Sequence, residues 1–176
     1  MIAPSRLAVM NACEAVFGQG QRCPEDWNQS LSTADASLAH AILGNILRHW
    51  GKIQAYVDDA LTRPDKHLPL ETRMVLALGL SQLAWLSGVA DYAAVNESVL
   101  WISDPRKGFP AHQGLVNALL RHAARNRSNL ANTIDAYPHY LDQSLFTKHA
   151  LRHALGADFS SSHAQDLWHQ WNQPPR

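Results

Sequence analysis

The sequence predicts an all-α protein: a bundle of about six helices followed by a two-helix C-terminal extension. Three observations predict it. Ala and Leu dominate, and apolar residues recur at i, i+3, i+4 and i+7 through most of the chain. Gly and Pro are few and punctuate the apolar segments. No segment alternates apolar and polar residues at period two, and no turn-paired hairpin or internal repeat is present.

Pro4-Ser5 are helix-start residues, and Leu7, Met10, Cys13, Val16 and Phe17 form the first core stripe, with Arg6 and Glu14 off it. Gly18 and Gly20 stop that helix, and the polar stretch 21–32, containing Pro24, reads as loop. Ser32 or Thr33 then caps a helix whose first turn carries Asp35, a carboxylate at the positive end of the helix dipole. Leu38, Ala41, Ile42, Ile46 and Leu47 form its buried face. Gly44 weakens this helix by ~1 kcal/mol relative to Ala, so another helix is expected to approach closely there. The run ends at Arg48, with a break at Gly51. A second helix follows through Ile53, Tyr56, Val57, Ala60 and Leu61, its wet face marked by Asp58 and Asp59, and Arg63-Pro64 stops it.

Pro69 starts the most apolar segment, Leu70 to Leu86, which is hydrophobic nearly all round and therefore predicted to be the central helix, closed by Gly88. Arg73 and Gln82 interrupt it. Asp91 caps the next helix, with Ala94, Val95, Val99 and Ile102 on its buried side, while Asn96 and Glu97 need not be buried; Asp104-Pro105 stops it. A loop of about ten residues with Gly108 and Pro110 leads to a helix ending near Asn126. Its Leu115, Val116, Leu119, Leu120 and Ala123 ask for a core. Gly114, Asn117, Arg121, Arg125 and Ser128 follow another side. Residues 128–136 read as a polar linker. Two short helices close the chain, marked by Tyr140, Leu141, Leu145, Phe146 and by Leu167, Trp168, Trp171. The expected division is a bundle domain over 1–130 and an extension over 131–176.

At 176 residues the chain is long enough to bury a core without staples. Net charge is zero, so no global basic field announces a nucleic-acid ligand, but the distribution is uneven. Before Pro105 there are seven Lys/Arg and eleven Asp/Glu; from Pro105 onward there are eight and four. No acid occurs between Asp104 and Asp135, where Arg106, Lys107, Arg121, Arg125 and Arg127 all fall, a pattern that suits an anion-facing surface. Two cysteines in no metal or redox spacing, with no signal peptide, read as a thiol-reduced cytoplasmic protein. No apolar run approaches the ~20 residues of a membrane span, so no membrane partner is expected.

Catalytic constellations are not evident. Gly18-Gln19-Gly20 follows a helix rather than a strand, so it is no phosphate loop. Adjacent carboxylates (Glu25-Asp26, Asp58-Asp59) diverge on a helix. His149 and His153 stand at i, i+4, but a third ligand is lacking and Lys148 and Arg152 would repel a cation, so no metal site is expected. His112 and His122 add to the basic region, and Trp101 and Trp171, near helix ends, are candidate surface anchors.

Four segments together resemble the NusB fold family: Asp35-x-x-x-Ala39-x-x-Ile42-Leu43-Gly44-Asn45-Ile46-Leu47-Arg48, Arg73-Met74-Val75-Leu76-Ala77-Leu78-Gly79-Leu80-Ser81-Gln82-Leu83, Tyr92-Ala93-Ala94-Val95-Asn96-Glu97-Ser98-Val99 and Gly114-Leu115-Val116-Asn117-Ala118-Leu119-Leu120-Arg121. Within it, Tyr137-Pro138-His139-Tyr140-Leu141, two short helices and Asn172-Gln173-Pro174-Pro175 look like the connection toward the catalytic part in the RsmB family of ribosomal RNA cytosine-5 methyltransferases. The loop from Lys107 to Gln113 is similar to that family too. The other member type, a stand-alone antitermination factor binding RNA and a ribosomal protein, normally ends soon after the helix carrying Asn117 and Arg121.

The resemblance implies a parent enzyme that transfers a methyl group from S-adenosylmethionine to a cytosine of small-subunit ribosomal RNA. That chemistry needs a cysteine nucleophile and a methyl-donor pocket. Cys23-Pro24 has the reverse order of the family's Pro-Cys motif. The chain is therefore expected to be the N-terminal domain alone, with no cofactor and no methyltransferase activity of its own. Its implied partners are small-subunit ribosomal RNA and the methyltransferase domain of the parent. Arg106, Lys107, Arg121, Arg125 and Arg127, with Asn117, are the candidate RNA-facing residues, joined by Arg6 and Arg48 if the first helices pack alongside. The competing expectation is a protein-docking module in which Asn117 and Arg121 bond loop carbonyls or Glu97.

Overall fold

The computed structural model describes residues 2–61 and 67–137, and within them the fold is all-α with six α-helices. These are α1 (Pro4–Cys13), α2 (Thr33–Ala60), α3 (Leu70–Trp85), α4 (Asp91–Ser103), α5 (Gln113–Arg125) and α6 (Arg127–Asp135). A π-helical turn (Glu14–Gly18) extends α1, and a 3₁₀ turn (Pro110–His112) precedes α5. Helix α3 is the centre, as its apolar circumference requires: every side chain from Thr72 to Leu83 is buried, and all five other helices pack on it. Gly79 allows the closest of these approaches. A Cβ there would sit 2.6 Å from Leu120 Cδ1 and 3.0 Å from Ser98 Oγ, so α4 and α5 seat directly against the α3 backbone.

The polar residues of α3 are buried with partners. Arg73 donates from Nη1 to Gln54 Oε1 at 3.0 Å and from Nη2 to Asp58 Oδ1 at 2.8 Å, tying α3 to α2. Gln82 Oε1 accepts from Arg6 Nε at 2.9 Å while its amide donates to Leu78 O at 2.8 Å. Thr72 Oγ1 shares a 2.9 Å hydrogen bond with His112 Nδ1, which places His112 in the interior rather than in a basic patch.

Several sequence expectations shift. Ala8, Val9 and Ala12 join Met10 and Cys13 in the core, whereas Leu7 and Val16 are half-buried: small residues let α1 lie close to both α2 and α3. Helix α2 runs unbroken through Gly51 for 28 residues, about 42 Å. Burial of Trp50, Ile53, Tyr56 and Val57 outweighs one glycine's ~1 kcal/mol penalty. Its buried face is Ala39, Ile42, Leu43 and Ile46, with Ala41 and Leu47 exposed. At Gly44 an added Cβ would meet only Arg48 Nη2, at 3.2 Å, and no neighbouring helix. Ser32 is the cap of α2, accepting from Asp35 N at 3.1 Å. Ala90, not Asp91, stands at the α4 N-cap. Trp101 is buried and so is no surface anchor.

The stretch read as a linker is helix α6. Leu130 and Ile134 bury against α3 and α2, a two-residue apolar signal at i, i+4 set among six polar residues of the same helix. The expected boundary at residue 130 thus falls inside a packed helix. Lys52 Nζ donates to Asp135 O at 2.9 Å, Tyr137 Oη donates to Asp59 Oδ2, and the Tyr56 and Tyr137 rings meet edge-on, fastening the end of α6 to α2. The two predicted helices after Pro138, with His149, His153, Trp168 and Trp171, lie outside the described residues. None of the described helices is long and apolar enough to cross a membrane.

Candidate nucleic-acid interface

Helices α4 and α5 pack as an antiparallel pair: residues 104–112 join the end of α4 to the start of α5, and the Asp91–Arg127 ion pair ties the start of α4 to the residues just past α5. Helix α5 is strongly two-faced: Val116, Leu119, Leu120 and Ala123 are buried, while Gly114, Asn117, Arg121 and Arg125 run along the outside. That outer row and the facing side of α4 enclose a groove of about 950 Å³. Tyr92, Val95, Asn96 and Val99 line it from α4, and Gln113, Gly114, Asn117, Arg121, Ala124 and Arg125 from α5, with Pro110 at one end.

The groove is polarised by which charges are already used. Arg121 Nε donates to Asn117 Oδ1 at 2.8 Å. That bond orients the guanidinium and leaves its Nη edge pointing outward with no partner among the described residues. Arg125 is exposed and has no side-chain partner among them either. The one carboxylate lining the groove, Asp91, is held by Arg127 Nη1. Two guanidiniums therefore face the groove without a competing acid.

The other predicted basic residues divide. Arg106 and Lys107 are exposed in the loop leading to Pro110. Asp104 Oδ1 accepts from Arg106 N at 2.9 Å, and Lys107 Nζ lies 5.3 Å over the Trp101 ring. This loop is seated tightly, since a Cβ at Gly108 would lie 2.4 Å from the carbonyl oxygens of Trp101 and Ile102. Arg48 is exposed on α2, whose main neighbours are α1, α3 and α6, so it does not join the groove. Arg6 is buried: besides Gln82 it meets Glu97 Oε1 at 3.5 Å, and Glu97 Oε2 accepts from Ala3 N at 2.9 Å. Arg127 is committed to the fold, its Nη1 donating to Val89 O at 2.8 Å and its Nη2 to Leu86 O at 2.6 Å, so that it clasps the α3–α4 turn. Glu97 being occupied by Arg6 and Ala3, Asn117 and Arg121 bond each other instead.

Sequence reasoning missed Tyr92, Asn96 and Gln113. Tyr92 is 79% exposed at the groove rim. The available signal was the i, i+4 spacing of Tyr92 and Asn96, which puts both on one side of α4.

Neither cysteine is poised for nucleophilic work. Burial pushes the Cys13 thiol up to about 12 and raises that of Cys23 as well, away from the thiolate form. Among the described residues no three His, Cys, Asp or Glu side chains gather where they could hold a metal ion.

Two proteins named ribosomal RNA small subunit methyltransferase B are similar to this chain. That of Thermus thermophilus is 34% identical over 90 residues, covering 51% of this chain and 21% of that protein. That of Xylella fastidiosa is 29% identical over 150 residues, covering 82% of this chain and 33% of that protein. The aligned stretches thus span about a fifth to a third of the length of these relatives. The NusB family model matches residues 4–125, from the first residue of α1 to the last of α5. The central helix, four of the five helices packed around it (α1, α2, α4 and α5) and both walls of the groove lie inside that match, and the chain belongs to the NusB family.

Proposed function

We propose that this chain serves ribosomal RNA methylation as a NusB-like domain that grips small-subunit ribosomal RNA along the α4–α5 groove. One observation carries the reading: Arg121 and Arg125 face the groove with Asn117 beside them, and Asp91 is neutralised by Arg127. Guanidiniums in that setting bind phosphate without reading sequence. Arg106 and Lys107, exposed in the loop that leads to Pro110, are further cations open to phosphate. The similarity to two ribosomal RNA small subunit methyltransferases supports ribosomal RNA as the ligand over a stand-alone antitermination role. Methyl transfer from S-adenosylmethionine to cytosine then belongs to a methyltransferase domain of the parent protein, in the cytoplasm, and the part of this domain is to hold substrate.

Binding of a small-subunit ribosomal RNA fragment, measured across salt, tests the grip. Arg121→Ala and Arg125→Ala should each flatten the slope of log K against log salt by about 0.7, one phosphate contact each. An unchanged slope in both variants removes RNA from this groove. Incubation with methyl donor and ribosomal RNA should give no methyl incorporation; incorporation above background contradicts the division of labour.

A second reading, docking onto the methyltransferase domain, is favoured by the apolar floor of the groove, Val95, Val99 and Ala124. It predicts that the same two variants weaken association with that domain and leave RNA affinity alone.

A further inference from the structure

We infer, resting on the reading that the groove meets RNA, that it takes unpaired rather than duplex RNA, with a base stacked on the Tyr92 ring between the two helices. Three observations converge. Tyr92 is 79% exposed on the first turn of α4, at the rim of a groove whose opposite wall carries Arg121 and Arg125. An aromatic face set beside guanidiniums is the arrangement that holds single strands: the cations follow the backbone and the ring takes a base. A duplex offers no such base, because its faces are already stacked within the helix.

The second observation is the carboxamides. Asn96, Gln113 and Asn117 all line the groove, and the first two have no side-chain partner among the described residues. Carboxamides carry both donors and acceptors and match the edges of unpaired bases. The third is orientation. Asn117 Oδ1 must be the acceptor from Arg121, since a guanidinium only donates, so the amide Nδ2 is the group Asn117 presents to a ligand. It suits a base carbonyl or ring-nitrogen acceptor. Backbone and base contacts therefore have separate residues: Arg121 and Arg125 for phosphate, Tyr92 for the base face, Asn96, Gln113 and Asn117 for its edge.

The test uses the full chain and a fluorescent, non-self-complementary oligoribonucleotide of about 12 nucleotides from small-subunit ribosomal RNA, within the usual site size for such grooves. It is offered single-stranded and annealed to its complement. The single strand should bind more tightly than the duplex. Tyr92→Phe should hold affinity within about twofold, and Tyr92→Ala should weaken it about 5- to 150-fold, the loss of one base–aromatic stack. Because Tyr92 carries no charge, Tyr92→Ala should leave the salt slope unchanged, and because the side chain is exposed, the unfolding curve too. Equal binding of single strand and duplex, or wild-type affinity in Tyr92→Ala, overturns this inference. If the arginine variants still flatten the salt slope in that case, the RNA reading itself stands. Binding of neither oligonucleotide, with groove variants weakening capture of a purified methyltransferase domain, overturns both and makes the groove a protein site.

Discussion

Replacing Arg6 by Met separates a residue that holds the bundle together from one that meets RNA. Arg6 gives Gln82 a 2.9 Å charge-assisted hydrogen bond and approaches Glu97 at 3.5 Å, with side-chain exposures of only 9% and 14% across the ion pair. Hydrogen bonds to a charged group contribute ~1.5–3 kcal/mol, and removing one partner of a buried pair costs roughly 3–5 kcal/mol. The ion pair is not ideally short and Glu97 keeps its bond from Ala3 N, so the lower end applies. Arg6→Met should then lose about 3 kcal/mol. In urea unfolding followed by helical circular dichroism, the midpoint should fall with little change in m. At roughly 2–4 °C per kcal/mol for a chain of this size, the Tm should drop by about 6–12 °C. The double variant Arg6→Met with Glu97→Leu should recover part of the loss, since no unpaired charge is left behind. The salt dependence of RNA binding should not move. A loss below about 1 kcal/mol, or a slope flattened by about 0.7, would refute the assignment of Arg6 to the fold.

Gly79→Ala should lose about 1–3 kcal/mol by overpacking, because its methyl would fall 2.6 Å from Leu120 Cδ1. Chemical denaturation of Gly79→Ala alone and with Leu120→Ala should show a non-additive pair, and strict additivity would mean that α5 is not seated on Gly79. Arg127→Ala should cost about 1.5–3 kcal/mol through the lost grip on Leu86 O and Val89 O; the bond to half-exposed Asp91 adds little to stability. The same variant should weaken RNA binding, because it frees the Asp91 carboxylate at the groove, and unchanged affinity would remove Asp91 from the site. The hydrogen bond to Asp59 holds the Tyr137 hydroxyl well above its ordinary 10, at about 12. Its contribution is fully present below pH about 10 and is lost as pH rises toward 12, because the unfolded chain ionises first. The urea midpoint of wild type should therefore exceed that of Tyr137→Phe at pH 8 and converge on it toward pH 12; parallel curves would mean that the bond is not made.

The helices legible from sequence were those whose apolar pattern stands alone. Helix α3, apolar all round, could only be central, and the two faces of α5 were plain from spacing. Where tertiary packing overrides local preference, spacing alone misplaces the element. Gly51 did not break α2 because the residues on either side bury one continuous face, and α6 was hidden because Leu130 and Ile134 are enough only when α2 and α3 are there to receive them. The site was half legible. Asn117, Arg121 and Arg125 share a face by helical geometry, but charge type alone could not separate Arg6 and Arg127 from them, since a buried and an exposed arginine look alike until their partners are placed. Tyr92 and Asn96 belong to another helix, and only the antiparallel pairing of α4 with α5 brings them to the arginines.

The attachment of α1 has a consequence for how the protein is made. Its bonds reach Gln82 and Glu97, closing separations of 76 and 94 residues, whereas α3, α4 and α5 meet through short connections. During synthesis at roughly 5–20 residues per second, Arg6 is made about 4–15 s before its hydrogen-bond partner Gln82 exists. Val9, Met10 and Cys13 can meet only α2 during that interval, and the side of α1 that packs on α3 stays open to water, chaperones and proteases. Ribosome-bound chains halted before Gln82 should thus be cleaved readily in α1, and chains extended past α5 should resist.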